Sequence, residues 1–337
     1  MTGGSKPAAW RQQSERSNPF ALLVMRWIAV TLGRRVSRLV LHPISLYFTL
    51  FGGAIGRASS AYLHQVLGRP PRWRDRYRHV HHFASTLLDR VYLLRADVGL
   101  FDIDVQGGEH FDRVLAQGHG AFLIGAHIGS FEALRALGEH RAGLRVAMLM
   151  YQENARMMSA TFKAVAPDAK VHVIELGKLD AMLELRDWLD QGGVAGLLAD
   201  RSLASASADT EAGGRSHTHW IEFLGRPAAF SDGPFRLAAL LRRPVVFMAG
   251  LYRGGNRYEL RFVPLADFSG RRERGAGAQA VQDAAVREAL HRYVDVLQAQ
   301  CREAPYNWFN FFDFWAGAPA AGDADASKPH RDVSPAS

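Results

Sequence analysis

The hydrophobic positions of this chain change their spacing near residue 100. Before it, apolar residues come in long blocks interrupted by single arginines. After it they come in short runs, each closed by a turn residue and followed by apolar positions at helical spacing. Short buried runs alternating with amphipathic helices predict βαβα units, and so an α/β fold with a mainly parallel or mixed central sheet flanked by helices. The strand runs are Phe101 to Val105, Ala121 to Ala126, Leu144 to Met150, Val171 to Glu175, Val194 to Ala199, Val245 to Leu251 and Tyr258 to Val263. Helical spacing follows from Phe131 to about Leu137, through Met157 and Phe162, and over Leu179 to Leu189, Pro234 to Leu241 and Ala280 to Cys301. Pro234 just after Gly233 suits a first helical turn.

The N-terminal pattern differs. Residues 1–19 are polar and read as a flexible start. Residues 20–98 read as a hydrophobic and basic helical region that associates with membrane, 99–316 as the catalytic domain, and 317–337 as a disordered tail of small and polar residues. The run 39–56 is mostly apolar over 18 residues, the lower limit for crossing a bilayer. It holds Pro43, Gly52, Gly53 and Gly56, so a bent or interfacial helix fits it better than a straight span. A buried helix pair covering the catalytic domain is the alternative. Val80, Phe83, Leu87, Val91 and Leu94 then recur at steps of three and four, which predicts an amphipathic helix bearing His79, His81 and His82.

Charge sharpens this division. The net charge is +8. Residues 1–90 carry Lys6 and thirteen arginines against Glu15, Asp75 and Asp89, a surplus of +11, which leaves −3 for the rest. A basic third interleaved with apolar blocks points to anionic lipid, and no nucleic-acid motif accompanies it. Arg34, Arg35, Arg38 and Arg57 could reach phosphates at a membrane face. Trp73 and Tyr77, among four arginines, suit an interface belt. A single cysteine, Cys301, excludes a disulfide framework and a cysteine metal site. His217 and His219 alternate on one strand but lack a third ligand. Motifs for nucleotide hydrolysis, dinucleotide binding and a serine-hydrolase elbow are absent. No metal or prosthetic group is expected.

The candidate chemistry lies in Gly118 to Arg135. A buried strand ends at His127; Gly129 permits a tight turn, and Ser130 is placed to cap a helix whose first turn holds Glu132. On a continuous helix, residues five apart point about 140° apart and would not meet. With the turn between them, Glu132 can reach back to the imidazole, fix one ring nitrogen and leave the other as a base. No serine or cysteine beside it is placed as a nucleophile, which favours direct transfer. Asp200 and Arg201 sit just beyond another strand end, the usual place for ligands in α/β sheets. Arg201 could grip a phosphate bidentately. The loop from Leu203 to Ser216 reads as mobile, and the aromatics from Trp308 to Trp315 either cap the core or line a substrate channel.

These blocks resemble the lysophospholipid acyltransferase-like superfamily, whose mark is H-x4-D/E. Within it the chain is most similar to the bacterial lipid A acyltransferase branch and the glycolipid or aryl-polyene acyltransferases beside it. The resemblance rests on His127 to Glu132, Leu198 to Ser202, Phe223 to Ala228 followed by Gly233-Pro234, Pro244 to Val246, and the ending Tyr306 to Trp315. It implies transfer of a fatty acyl group from an acyl carrier protein or coenzyme A thioester to a hydroxyl of a lipid, glycolipid or aryl-polyene lipid. His127 and Glu132 would be catalytic, and Asp200, Arg201, Gly225 and Arg226 would bind substrate. Met150 to Glu153 stand where the lipid A branch carries an arginine-bearing block, which departs from that acceptor. The implied place is the cytoplasmic face of the inner membrane. The alternatives are a non-catalytic lipid-binding protein on the same fold and a thioester hydrolase.

Overall fold

The run Ala121–Gly125 is apolar or small at every position and wholly buried, so it forms a strand covered on both faces. In the structure, a computed structural model, it is β2. The residues described are 19–95, 97–133, 144–151, 172–177, 179–201, 218–270 and 277–318. The expected helix through Met157 and Phe162, most of the helix after Phe131, His217 and the loop from Leu203 to Ser216 lie outside them, as do residues 1–18 and 319–337.

The elements run α1 (Pro19–Phe51), α2 (Gly53–Leu67), α3 (Trp73–Leu93), β1 (Asp102–Gln106), α4 (Gly108–Leu115), β2 (Ala121–Gly125), β3 (Val146–Tyr151), β4 (His172–Leu176), α5 (Leu179–Asp190), β5 (Val194–Leu198), β6 (Thr218–Phe223), β7 (Arg226–Ser231), α6 (Gly233–Leu241), β8 (Pro244–Gly254), β9 (Arg257–Asp267) and α7 (Ala278–Glu303). Seven strands form one sheet in the order β1-β9-β8-β2-β5-β3-β4, and β6 and β7 form a separate hairpin. Every pairing in the large sheet is parallel except β8 with β9. The fold is therefore mixed α/β, as the alternating pattern predicts.

The period of two along β2 divides the interior. Phe122 and Ile124 enter a core with α5, α6, α7 and Tyr62 and Leu63 of α2. Leu123 enters the opposite core, with Leu88 and Val91 of α3 and Ala29 and Leu41 of α1. Each such fully buried side chain contributes ~1.5–3 kcal/mol. The N-terminal helices thus share both cores with the sheet.

Helix α1 is broken at Gly33 (φ 74°, ψ 167°) and carries Pro43. Its buried stripe is Ser37, Leu41, Ser45 and Thr49, at steps of four. Leu39, Tyr47, Leu50 and Phe51 are 68%, 58%, 63% and 71% exposed. A helix of a water-soluble domain buries its apolar stripe; this segment turns mainly small and polar residues inward and large apolar ones outward. The segment Gly33–Phe51 meets α2 at 88°, and among the described residues no single helix is long and apolar enough to cross a membrane. The bent form expected for residues 39–56 is present: one side of the pair packs on the cores of the catalytic domain and the other turns apolar side chains outward.

Two arginines expected at lipid phosphates are used inside the protein. Arg34 donates from Nε and Nη2 to the carboxylate of Asp89 at 2.8 and 2.9 Å. Arg38 donates to the Tyr252 hydroxyl at 2.7 Å. Asp89 is wholly buried and would otherwise be an uncompensated charge; Tyr258 donates to it as well, at 2.9 Å. Arg35 and Arg57 remain exposed.

His79 is wholly buried between Ser59 Oγ and the Trp308 carbonyl, each at 2.8 Å. The carbonyl can only accept, so Nε2 carries the proton and Nδ1 accepts from Ser59. No group of three metal-ligating side chains occurs among the described residues. Burial drives His79, His81 and His82 down from the ordinary 6.5 to about 4. Between those values the unfolded chain binds protons that the fold does not, so stability rises with pH across the window. It should be complete above about 6.5 and be lost as pH falls toward 4. Urea unfolding at a series of pH values should show this slope, and His79→Gln should flatten it.

Candidate active site

The site is built where β2 and its neighbour β5 end side by side. They pair in parallel with Gly125 opposite Leu198, so the segments leaving them emerge together. His127 follows one strand and Asp200 the other. His127 Nδ1 lies 2.8 Å from Asp200 Oδ1, and the His127 amide donates to Oδ2 at 3.0 Å. The indole Nε1 of Trp308 also donates to Oδ2, at 2.9 Å. Asp200 is wholly buried. Burial pushes its carboxyl up, but the attraction and hydrogen bonds of His127, with the Arg201 charge, outweigh this and hold it at about 2. An ionised Asp200 accepts from Nδ1–H, so the free lone pair is on Nε2. The His127 side chain is 28% exposed, and Nε2 has no hydrogen-bond partner among the described residues.

The expected pairing of Glu132 with His127 is not what the structure holds; Asp200 occupies that position. Glu132 is nearly buried, forms an ion pair with Arg90 of α3 (Nε to Oε1, 2.8 Å) and accepts from Ser130 Oγ at 3.1 Å. It ties the helix start to α3 instead of the imidazole. Ser130 accordingly spends its hydroxyl on Glu132.

The turn between them is fixed by close backbone packing. Gly129 has φ +65°, and a Cβ there would lie 1.8 Å from the Gly250 carbonyl oxygen. The Gly129 amide donates to Asn307 O and the Ser130 amide to Gly250 O, both at 2.8 Å. Phe309 N in turn donates to His127 O at 2.7 Å. The segment 307–309 therefore lies along the His127 loop. Asn307 also locks onto Tyr252, its Oδ1 accepting from the amide at 2.7 Å and its Nδ2 donating to the carbonyl at 3.1 Å.

The remaining candidates fall in two places. Arg201 borders the dyad in sequence; its guanidinium lies 5.5 Å from the Phe312 ring, and its Nε is buried without a partner among the described residues. Gly225 (φ +83°) forms the β6–β7 turn with Leu224, and Arg226 opens β7, its guanidinium over Trp315 at 5.6 Å. Among the described residues no hydrogen bond or ion pair joins them to His127 or Asp200. His219 is a structural partner of Asp232, at 2.9 Å.

Sequence reasoning missed Trp308 and His79 as parts of the site. Trp308 lies 108 residues from Asp200, and only its place in a dense aromatic ending signalled it. Together they form a chain from Ser59 through His79, Trp308 and Asp200 to His127.

An imidazole held by a buried carboxylate, with its other nitrogen facing outward beyond strand ends, is the equipment of a general-base enzyme. The comparisons narrow the class. The chain belongs to the bacterial lipid A biosynthesis acyltransferase family, whose model matches residues 96–313, more than half of it. It is accordingly an acyltransferase of lipid biosynthesis. Among solved structures it is similar to the 1-acyl-sn-glycerophosphate (LPA) acyltransferase of Thermotoga maritima, at 13% identity and a TM-score of 0.32, over 81% of this chain and 95% of that one. Among curated proteins, none matches it.

The geometry ranks the carboxylates. Asp200→Asn should lower kcat about 10²–10⁴-fold, because an amide does not hold the imidazole in the required tautomer. Glu132→Gln should lower it less, since the partner of Nδ1 stays in place. Trp308→Phe keeps an aromatic ring but loses a hydrogen bond to a charged group, ~1.5–3 kcal/mol, and should fall between them. Steady-state kinetics on purified variants decides; a larger loss in Glu132→Gln than in Asp200→Asn would return Glu132 to the orienting role.

Proposed function

We propose that the protein transfers a fatty acyl group from an acyl carrier protein or coenzyme A thioester to a lipid or glycolipid hydroxyl, with His127 as the general base. The observation that carries this reading is the bond from His127 Nδ1 to buried Asp200, which leaves Nε2 free to accept a proton. In the proposed step the acceptor hydroxyl gives its proton to Nε2 as its oxygen attacks the thioester carbonyl. The tetrahedral intermediate collapses, the C–S bond breaks, and the imidazolium returns the proton to the departing thiolate. No acyl-enzyme is needed.

The amide of Gly129 is committed to Asn307 and that of Ser130 to Gly250, so neither is free for an oxyanion. In the proposal this role passes to the amides that open the helix at Phe131. Arg201, with its partnerless buried Nε, is assigned to a phosphate of the donor's phosphopantetheine arm or of the acceptor. Glu132 becomes a positioning residue acting through Arg90 and Ser130. Nothing in the geometry gives Gly225 and Arg226 a share in the reacting centre, and their proposed substrate contact lies at its periphery.

The acceptor sets the location. Each CH₂ of a lipid chain drawn out of the bilayer costs about 0.8 kcal/mol, so the enzyme must go to its acceptor. The outward apolar face of α1, together with exposed Trp73 of α3, supports adsorption to the cytoplasmic face of the inner membrane.

Incubation with a labelled acyl thioester and a cellular lipid extract should yield a labelled lipid, and His127→Ala should abolish it in a protein that still folds, with a lowered melting temperature because buried Asp200 loses the ring hydrogen bond. Label recovered only as free fatty acid would make the protein a hydrolase, and no turnover at all would make it a lipid-binding protein. Native membranes washed with high salt should retain the protein, and detergent should release it. Release by salt alone would reject the apolar anchor.

A further inference from the structure

The elbow between α1 and α2 encloses a notch of about 320 Å³, lined by Thr49, Gly56, Arg57, Ser60 and Arg76, that no part of the acyl-transfer reading uses. Neither arginine has an acidic partner among the described residues, and the Arg76 Nε is buried with no hydrogen-bond partner. The nearby carboxylate, Asp75, is taken by Arg69 and the Tyr306 hydroxyl. The two hydroxyl protons are also spent: Thr49 donates to Ser45 O at 2.6 Å and Ser60 to Gly56 O at 2.8 Å. The remaining side-chain donors in the notch are therefore guanidinium N–H groups. The start of α2 opens on the same space, with no side-chain cap and no acidic residue in its first turn, so its dipole carries the same sign.

The rim is apolar. Leu50, which lines the notch, is 63% exposed, and Phe51 and Ile55 of the same elbow are 71% and 39% exposed. Two cations at an elbow that also exposes apolar side chains fit an amphiphile with a compact anionic head. Guanidinium matches phosphate oxygens in planar, paired hydrogen bonds.

We propose that Arg57 and Arg76 form a phosphate subsite at this elbow, taking the phosphate of an anionic lipid while Leu50, Phe51 and Ile55 lie against its chains. The subsite rests on the reading of α1 and α2 as lipid-facing and is independent of acyl transfer. It adds a specific headgroup contact to an otherwise apolar adsorption. It is linked to the reacting centre through the fold: Ser60 adjoins Ser59, which bonds His79, and Arg76 lies one turn before His79 on α3.

The test is co-sedimentation of the full chain with phosphatidylcholine vesicles, with and without phosphatidic acid. Phosphatidic acid should strengthen binding of the wild-type protein. Arg57→Gln/Arg76→Gln should weaken binding to the doped vesicles about tenfold, the loss of roughly one such contact. Arg35→Gln/Arg74→Gln removes equal charge from exposed positions outside the notch and should retain the preference. Gly56→Leu has open space for its first carbon and should block the notch at unchanged charge and melting temperature. Equal losses in both double variants, or unimpaired binding by Gly56→Leu, would overturn the site in favour of diffuse attraction. Displacement by inorganic phosphate at matched ionic strength would support the subsite and assign it to the free anion; resistance would support it and assign it to the lipid headgroup. His127→Ala should bind vesicles as the wild type does, so a failure of the transfer reading leaves this result intact.

Discussion

Asp200 is a charged carboxylate with no solvent exposure, and the architecture around it answers that cost. A buried anion is tolerated only with its hydrogen bonds satisfied. It receives three: the amide and ring of His127 from one strand end, and the Trp308 indole from the far C-terminal part of the chain. Those donors position the imidazole and bring the C-terminal segment across the sheet. His79 then fixes Trp308 through its carbonyl, and Ser59 fixes His79. The His127 imidazole is thus oriented by a series of contacts that begins on α2. A series of this kind sets one tautomer and one ring position, which proton transfer needs.

Buried charges also tie the N-terminal helices to the sheet domain. Arg90 of α3 holds Glu132, and Arg34 of α1 neutralises Asp89 in a second buried network. Helix α1 places its small and polar stripe against the protein, which leaves the large apolar side chains outward. Water would penalise that orientation, whereas a bilayer surface would favour it. In the proposed function, attachment to lipid and support of the site are two faces of the same helices.

Several features were legible from residue types alone. The short apolar runs specify strands because a parallel strand covered on both faces has no polar side. The break in residues 39–56 follows from its glycines and proline, and the structure bends there by 88°. His127, Asp200 and Arg201 could be placed beyond strand ends because run lengths fix where strands stop. The likeness carried by separate blocks also pointed to the family that the match over residues 96–313 shows.

Which carboxylate serves His127 depended on strand order. Glu132 is near in sequence, and local spacing made it the natural partner; Asp200 is 73 residues away and became the partner because β5 lies beside β2. The same holds for Trp308, for the buried use of Arg34 and Arg38, and for the loss of the Gly129 amide to Asn307. Sequence by itself determined the period of the elements, the residues able to do acid–base chemistry, and the turns that need glycine. Tertiary structure decided which of those residues meet, because a hydrogen bond depends on position in space, and only the order of strands in the sheet brings distant segments within its reach.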